Sequence, residues 1–271
     1  MSSGNGFWSL LFHTLFVVFV MAPIVVVCII AFTPEGYLSM PTNGASLRWF
    51  QALWNNAEFT GSFRTSLALG AASASIAALI SVPAAIAIVR YDFPGRQAFL
   101  SLCMSPLMVP SIVLGVAFLR FFSQIGMSGT ITGLTISHVI LIVPYVLRTI
   151  MNSLGSLDRS LDHAAASLGS PGWTTFRRIT LPLILPGILS GWMLAFITSF
   201  DEVTMTIFIS SPETTTLPVR LMLYIEDSID PLVAAVSTVL IVMALVVMLV
   251  LDRLFGLDRM LIGSGPSDRD R

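Results

Sequence analysis

Six long apolar runs, separated by short polar stretches, set the pattern of this chain. Most are about 20 residues long, which is the helix length needed to cross roughly 30 Å of hydrocarbon in a bilayer. This pattern predicts an all-α membrane protein in which six transmembrane helices form a single domain over residues 1–271. The runs are Leu10–Phe32, Ser66–Val89, Phe99–Leu119, Ile131–Leu147, Leu183–Ile209 and Leu232–Leu251.

A stretch with a different period, residues 157–182, lies between the fourth and fifth runs. Its apolar residues recur three or four positions apart, which predicts an amphipathic helix. Gly169 is expected to end this helix, and Ser170-Pro171 to begin a second one, because Pro is favoured in the first turn of a helix. Two short amphipathic helices between membrane spans suit contact with another protein. The apolar positions are Leu157, Leu161, Ala164, Ala165 and Leu168.

Two further stretches lie outside the runs. The connection between the first two runs contains Leu47–Trp54, where we expect a short helix at the membrane interface with aromatic side chains at headgroup depth. For Trp49, interface anchoring is favoured over contact with a ligand. The polar, charged tail at residues 263–271 is expected to be disordered.

The composition agrees with a membrane protein, since 55% of the 271 residues are hydrophobic and only 11% are charged. A soluble domain carries roughly 25% charged residues. The formal net charge of −1 gives no indication of nucleic-acid binding. Lysine is absent, so all 14 basic residues are arginine. Because a P-loop needs a lysine to reach the nucleotide phosphates, any ATP used by this protein must be bound by another chain.

The arginines also predict the orientation in the membrane. Ten of the 14 fall after the second run, after the fourth run, or in the C-terminal tail, and four fall on the opposite side. Cytoplasmic connections carry the excess of positive residues in membrane proteins. Both termini and residues 157–182 are therefore expected in the cytoplasm.

Asp201 and Glu202 interrupt the fifth run. Intramembrane carboxylates cost a few kcal/mol each and normally face a cavity or a partner. One interpretation is a cation-recognising rim on a transport path. The other is a helix end at the interface, or an internal ion pair with Arg220 or another arginine. The sequence leaves both open.

Candidate catalytic and metal-binding groups are sparse. His138 has no Cys, His or Asp companion at ligand spacing, so a buried polar contact is favoured over a proton relay or a metal site. The adjacent Ser137 points away from it on a helix, so the two do not form a nucleophile and base. Cys28 and Cys103 lie in apolar runs and do not indicate a disulfide framework. We therefore predict no enzyme activity and no metal site.

The stretch from Leu157 to Pro186 resembles the cytoplasmic loop of permease subunits of type I ABC importers. That loop reads Glu-Ala-Ala, three residues, Gly, nine residues, and then Ile-x-Leu-Pro. His163 stands where the family has Glu, although Asp162 directly precedes it. The matching residues are Ala164, Ala165, Gly169, Ile179, Leu181 and Pro182.

This resemblance implies a six-helix permease fold for a bacterial inner-membrane protein. It implies a second, similar permease as partner, two copies of an ATPase subunit that bind ATP and Mg²⁺, and a periplasmic solute-binding protein that delivers substrate. This chain would then bind no cofactor of its own. The residues expected to contact the ATPase are Asp162, His163, Ala164, Ala165, Leu168, Gly169, Arg177 and Arg178.

Other residues resemble the polyamine (spermidine/putrescine) branch of that family. They are Arg48-Trp49-Phe50, Ser199-Phe200-Asp201-Glu202, Leu217-Pro218-Val219-Arg220 and Ile229-Asp230-Pro231. The likeness implies a substrate path that includes Trp49, Ser199 and the Asp201-Glu202 pair. Ser111 stands where that branch usually carries an acid, which favours a substrate with fewer positive charges, such as an opine, an amino acid derivative or another amine. A self-sufficient secondary transporter, with charge pairs in several spans and an internal repeat, is the alternative.

Overall fold

The structure, a computed structural model, describes residues 6–158 and 160–255. These residues form twelve α-helices, a 3₁₀ turn at Ser105–Met108 and a π turn at Phe176–Thr180. The predicted disorder of residues 263–271 lies outside the described residues. In chain order the helices are α1 Phe7–Ile30, α2 Arg48–Asn55, α3 Ala57–Arg90, α4 Arg96–Met104, α5 Ser111–Gln124, α6 Ile131–Gly155, α7 Ser160–Ser167, α8 Gly172–Thr175, α9 Leu181–Phe200, α10 Thr206–Ile209, α11 Leu217–Asp227 and α12 Leu232–Phe255.

Within this described part, four helical segments are long and apolar enough to cross a membrane by themselves. They are Trp8–Ile30, Ala57–Arg90, Ile131–Gly155 and Gly172–Phe200. The bent pair of segments Arg96–Met108 and Ser111–Gln124 would make a fifth span, and Leu232–Val246 is a shorter apolar helix. The all-helical membrane fold is confirmed, whereas the count of six spans stays a prediction.

The third apolar run, Phe99–Leu119, is not one straight helix. The chain bends by 104° between Met108 and Ser111. Val109 is extended there, with φ −96° and ψ 127°, because the ring of Pro110 disfavours helical geometry in the preceding residue. Pro110 also lacks the N–H that would continue the helix. The third run is therefore broken at Pro110, and its crossing of the membrane as one span stays a prediction.

The fifth run, Leu183–Ile209, is divided in the structure at its charged interruption. α9 ends at Phe200, and only the four residues of α10 follow, after a non-helical segment. Asp201 is the C-cap residue, and its N–H donates to the Ile197 carbonyl at 3.0 Å. The two carboxylates therefore follow a helix end rather than interrupt a continuous helix.

The chain divides into two compact units, one made of residues 1–60 and 223–271 and the other of residues 61–222. The single permease domain stays a prediction. In the first unit, α1 is apolar and exposed over most of its length, as expected of a helix that faces lipid. The predicted short helix at Leu47–Trp54 is confirmed as α2, and its depth in the membrane stays a prediction.

The second unit is built around the contact between α6 and α9. Gly187 and Gly191 are one turn apart on α9, and a β-carbon at either position would meet α6. At Gly187 it would meet the Ser153 side chain, and at Gly191 the Thr149 hydroxyl. Small residues at this spacing let two membrane helices approach closely. α9 is thereby held against the buried face of α6.

Candidate coupling element and translocation path

The predicted helix–glycine–helix element is present, and it is formed by α7, a turn at Gly169, and α8. Gly169 has φ +77°, a conformation that costs an L-residue roughly 1–2 kcal/mol. The Gly169 N–H donates to the Ala166 carbonyl at 2.9 Å, and the Ser170 N–H donates to the Ala165 carbonyl at 3.0 Å. These two bonds make a Schellman motif, which satisfies carbonyls that the end of α7 leaves open.

This element carries an apolar surface outward. Leu168 is 88% exposed and Trp173 is 69% exposed, on either side of the turn. Ala165 faces inward with 6% exposure, whereas Ala164 is exposed. An exposed apolar patch marks a site of contact with another protein or with the membrane. Arg177 and Arg178 are also exposed, on the π turn that follows.

Asp162 is turned back into this chain. Its carboxylate accepts a hydrogen bond from Arg90 at the end of α3, and the two form an ion pair in which Arg90 is 14% and Asp162 35% exposed. His163 is exposed and lines a cavity of about 430 Å³ together with these two residues. Arg90 was not predicted to take part in this element. Its one signal in the sequence was its position at the end of the second run that is predicted to face the cytoplasm.

α7 is further ordered at its beginning by Asp158. The Asp158 carboxylate accepts the Ser160 N–H at 2.8 Å. This backbone hydrogen bond lowers the pKa of Asp158 below its usual value, because it stabilises the charged form. At the other side of the turn, α8 continues through the π turn into α9 as one membrane-crossing segment, Gly172–Phe200. The element is therefore joined to a transmembrane helix without a flexible connection.

The acidic pair lies at the far end of α9. Asp201 is exposed, and Glu202 is partly buried. Glu202 Oε1 accepts the Met205 N–H at 2.7 Å, so this carboxylate caps the turn that leads into α10. Because the carbonyls at the end of α9 add partial negative charge to the two carboxylates, the position favours cations.

His138 connects this region to α6. It is fully buried, and its ring nitrogens lie 2.7 Å from Ser199 Oγ and 3.0 Å from Thr206 Oγ1. The expectation of a buried polar contact is confirmed. Ser199 is only 2% exposed, so its hydroxyl contacts His138 rather than an open path. No local pattern signals this connection, since the partners are 61 and 68 residues away.

The other two residues of the predicted substrate path, Ser111 and Trp49, belong to different units. Ser111 is the first residue of α5 and is partly buried, one turn before Gly115. A β-carbon at Gly115 would lie 3.1 Å from the backbone of Met205, so α5 packs closely on the segment that follows the acidic pair. Trp49 belongs to the first unit, where its indole N–H donates to the Glu35 carbonyl at 3.2 Å.

Comparison with known proteins gives the class and then the family. A family described as "Binding-protein-dependent transport system inner membrane component" matches residues 77–257. Among solved structures, a bacterial ABC transporter involved in the import of the acidic polysaccharide alginate has a TM-score of 0.75 at 16% identity, over 94% of this chain and 99% of that chain. The fold is thus that of an ABC importer permease. This chain belongs to the family of binding-protein-dependent inner-membrane transport components.

Two curated relatives match this chain over most of both lengths. The Haemophilus influenzae spermidine/putrescine transport system permease protein PotC is 32% identical over 241 residues, which is 89% of this chain and 91% of that protein. The Escherichia coli putrescine transport system permease protein PotI is 32% identical over 241 residues, 86% and 85% of the two chains.

These findings confirm that the chain is a multi-pass permease subunit of an ATP-driven importer, a transport component and not an enzyme. They favour this function over the self-sufficient secondary transporter. The role of each individual site residue stays a prediction.

Proposed function

We propose that this permease forms half of the path by which a small amine-containing cation of the polyamine type enters the cell. The proposal is supported by the names of the relatives, which are permeases for spermidine and putrescine. It is also supported by the two carboxylates at the negative end of α9. The serine at position 111 favours diamines or monoamines over longer polyamines, since one negative partner fewer is available.

The second part of the proposal is the assembly. A second, similar permease completes the path, and a periplasmic solute-binding protein delivers the substrate. Two copies of an ATPase subunit, which bind ATP and Mg²⁺, lie against the α7–Gly169–α8 element. The predicted orientation, with both termini and this element in the cytoplasm, places the ATPases on the side where ATP is available.

The mechanism we propose is alternating access driven through α9. ATP binding brings the two ATPases together, and the α7–Gly169–α8 element moves with the subunit that holds it. Because α8 leads directly into α9, that helix tilts and opens the path outward, and ATP hydrolysis reverses the motion. The permease contributes different contacts to the two states and no bond chemistry.

One observation carries the coupling proposal: a hydrogen-bonded turn presents Leu168 and Trp173 outward at the beginning of an apolar helical segment long enough to cross the membrane. The test is Gly169→Asp, assayed as substrate-stimulated ATP hydrolysis by the assembled importer in proteoliposomes. The variant should insert and fold normally but lose stimulation, since a charge and a side chain would enter the contact with the ATPase.

The matched control is Gly126→Asp. Gly126 also has a positive φ, +70°, and open space around it, but it lies between α5 and α6. It should keep stimulated hydrolysis at the native level. Full stimulation in the Gly169 variant would remove the docking proposal. The same vesicles, supplied in turn with spermidine, putrescine and an opine, identify the solute that is taken up.

A further inference from the structure

His138 is a buried titratable side chain that the coupling mechanism does not use. The residue lies within α6 and its imidazole is buried. Nδ1 is 2.7 Å from Ser199 Oγ, and Nε2 is 3.0 Å from Thr206 Oγ1. In a neutral ring one nitrogen donates a hydrogen bond and the other accepts one. Both nitrogens are therefore satisfied, each by a hydroxyl from outside α6.

The two hydroxyls lie on opposite sides of the break between α9 and α10. Ser199 precedes the last residue of α9, and Thr206 is the first residue of α10. The segment between them, residues 201–205, contains both carboxylates. One imidazole ring thus joins the beginning and the end of the acidic segment to the same point on α6.

Other contacts leave this segment little freedom. Glu202 accepts the Met205 N–H at 2.7 Å, and Gly115 on α5 approaches the Met205 backbone so closely that a β-carbon would lie 3.1 Å away. Met205 itself is fully buried. By contrast, Asp201 is exposed. The segment is therefore fixed at its two ends and on one side, with a carboxylate projecting from it.

We propose that His138 is a positioning residue for substrate selection: it holds Ser199 and Thr206 together, and so fixes the placement of the Asp201 and Glu202 carboxylates for an amine cation. The proposal rests on the proposed function of the acidic pair. A free segment would still attract cations, but it would lose the fixed carboxylate geometry that distinguishes an amine with several charges from a monoamine.

The experiment compares His138→Leu with His138→Gln in the complete importer, in lipid nanodiscs. Leucine is similar in bulk but makes neither hydrogen bond, whereas glutamine carries both a donor and an acceptor. The freed serine and threonine hydroxyls can return to carbonyls of their own chain segment. The measurements are the dissociation constants of labelled spermidine and of butylamine, with uptake rate and melting temperature alongside.

In the leucine variant, the Kd for spermidine should rise about tenfold while that for butylamine changes less than about twofold, because one or two hydrogen bonds hold the segment. The glutamine variant should recover most of this selectivity. An unchanged ratio of the two constants in the leucine variant, at native melting temperature, would overturn the proposal. So would an equal loss of selectivity in both variants.

A second variant covers the case in which His138→Leu does not fold. Ser199→Ala combined with Thr206→Val removes both partners and leaves α6 intact, and it should lower the spermidine-to-butylamine selectivity to the same extent. Native selectivity in this double variant would overturn the proposal.

Separate variants test the function on which the proposal rests. Asp201→Asn and Glu202→Gln should weaken spermidine binding, and Glu213→Gln, at an exposed acid in the loop after α10, should not. If the first two bind spermidine normally, the acidic pair is not the cation site. If they bind it weakly but His138→Leu keeps its selectivity, only the positioning role is wrong.

Discussion

At Gly169, a single backbone angle should control the affinity of the permease for the proposed ATPase subunit. The position has φ +77°, and a β-carbon added there would meet no heavy atom within 4 Å, so Gly169→Ala introduces no steric overlap. The only cost is the left-handed conformation, roughly 1–2 kcal/mol for an L-residue. If the turn relaxes, the two Schellman hydrogen bonds at 2.9 and 3.0 Å are lost instead.

Either response should reduce the fraction of molecules whose turn can bind the ATPase. The apparent affinity falls by that fraction, so about 1–2 kcal/mol corresponds to roughly 5–30-fold weaker binding. The assay is the dissociation constant of the purified ATPase on the permease in nanodiscs. Gly169→Asn should lose less affinity than the alanine variant, because asparagine adopts the left-handed region more readily than alanine does.

Gly172→Ala is the matched control for this measurement. Gly172 is three residues further along, also has no atom within 4 Å, and lies in α8 without a positive φ. Its ATPase affinity should stay at the native level. Native affinity for Gly169→Ala, or an equal loss in both variants, would show that the conformation of the turn does not control docking.

Two further predictions concern contacts within the second unit. Arg90→Asp and Asp162→Arg should each lower substrate uptake per ATP hydrolysed in proteoliposomes, because each removes the ion pair that joins α3 to α7. The double exchange restores the pair and should recover uptake. A double variant no better than the single ones would contradict this. Gly191→Leu should lower the melting temperature in detergent, since its β-carbon would lie 3.2 Å from Val146 Cα and overpacking typically costs about 1–3 kcal/mol. Gly61→Leu, with open space around it, should melt like the native protein, and equal melting of the two variants would argue against close α6–α9 packing.

Much of the fold follows from local sequence. Apolar runs of sufficient length predict membrane helices, since a helix satisfies its backbone hydrogen bonds within its own segment inside lipid. Periodicity, Gly169 and Pro171 together predicted the α7–turn–α8 element, because helix ends are set by nearby residues. The two breaks had local signals as well, at Pro110 and at the Asp201-Glu202 pair, and the structure divides each run at that signal.

The connections between distant residues were decided by the tertiary structure alone. His138 contacts hydroxyls 61 and 68 residues away, and Arg90 pairs with an acid 72 residues away. No local pattern contains such partners, because they meet only after α3, α6 and α9 have packed. The sequence by itself therefore determined the long apolar helices and the position of the turn at Gly169. Packing decided which buried polar groups hold the acidic segment, because each of them needs a partner once water is excluded.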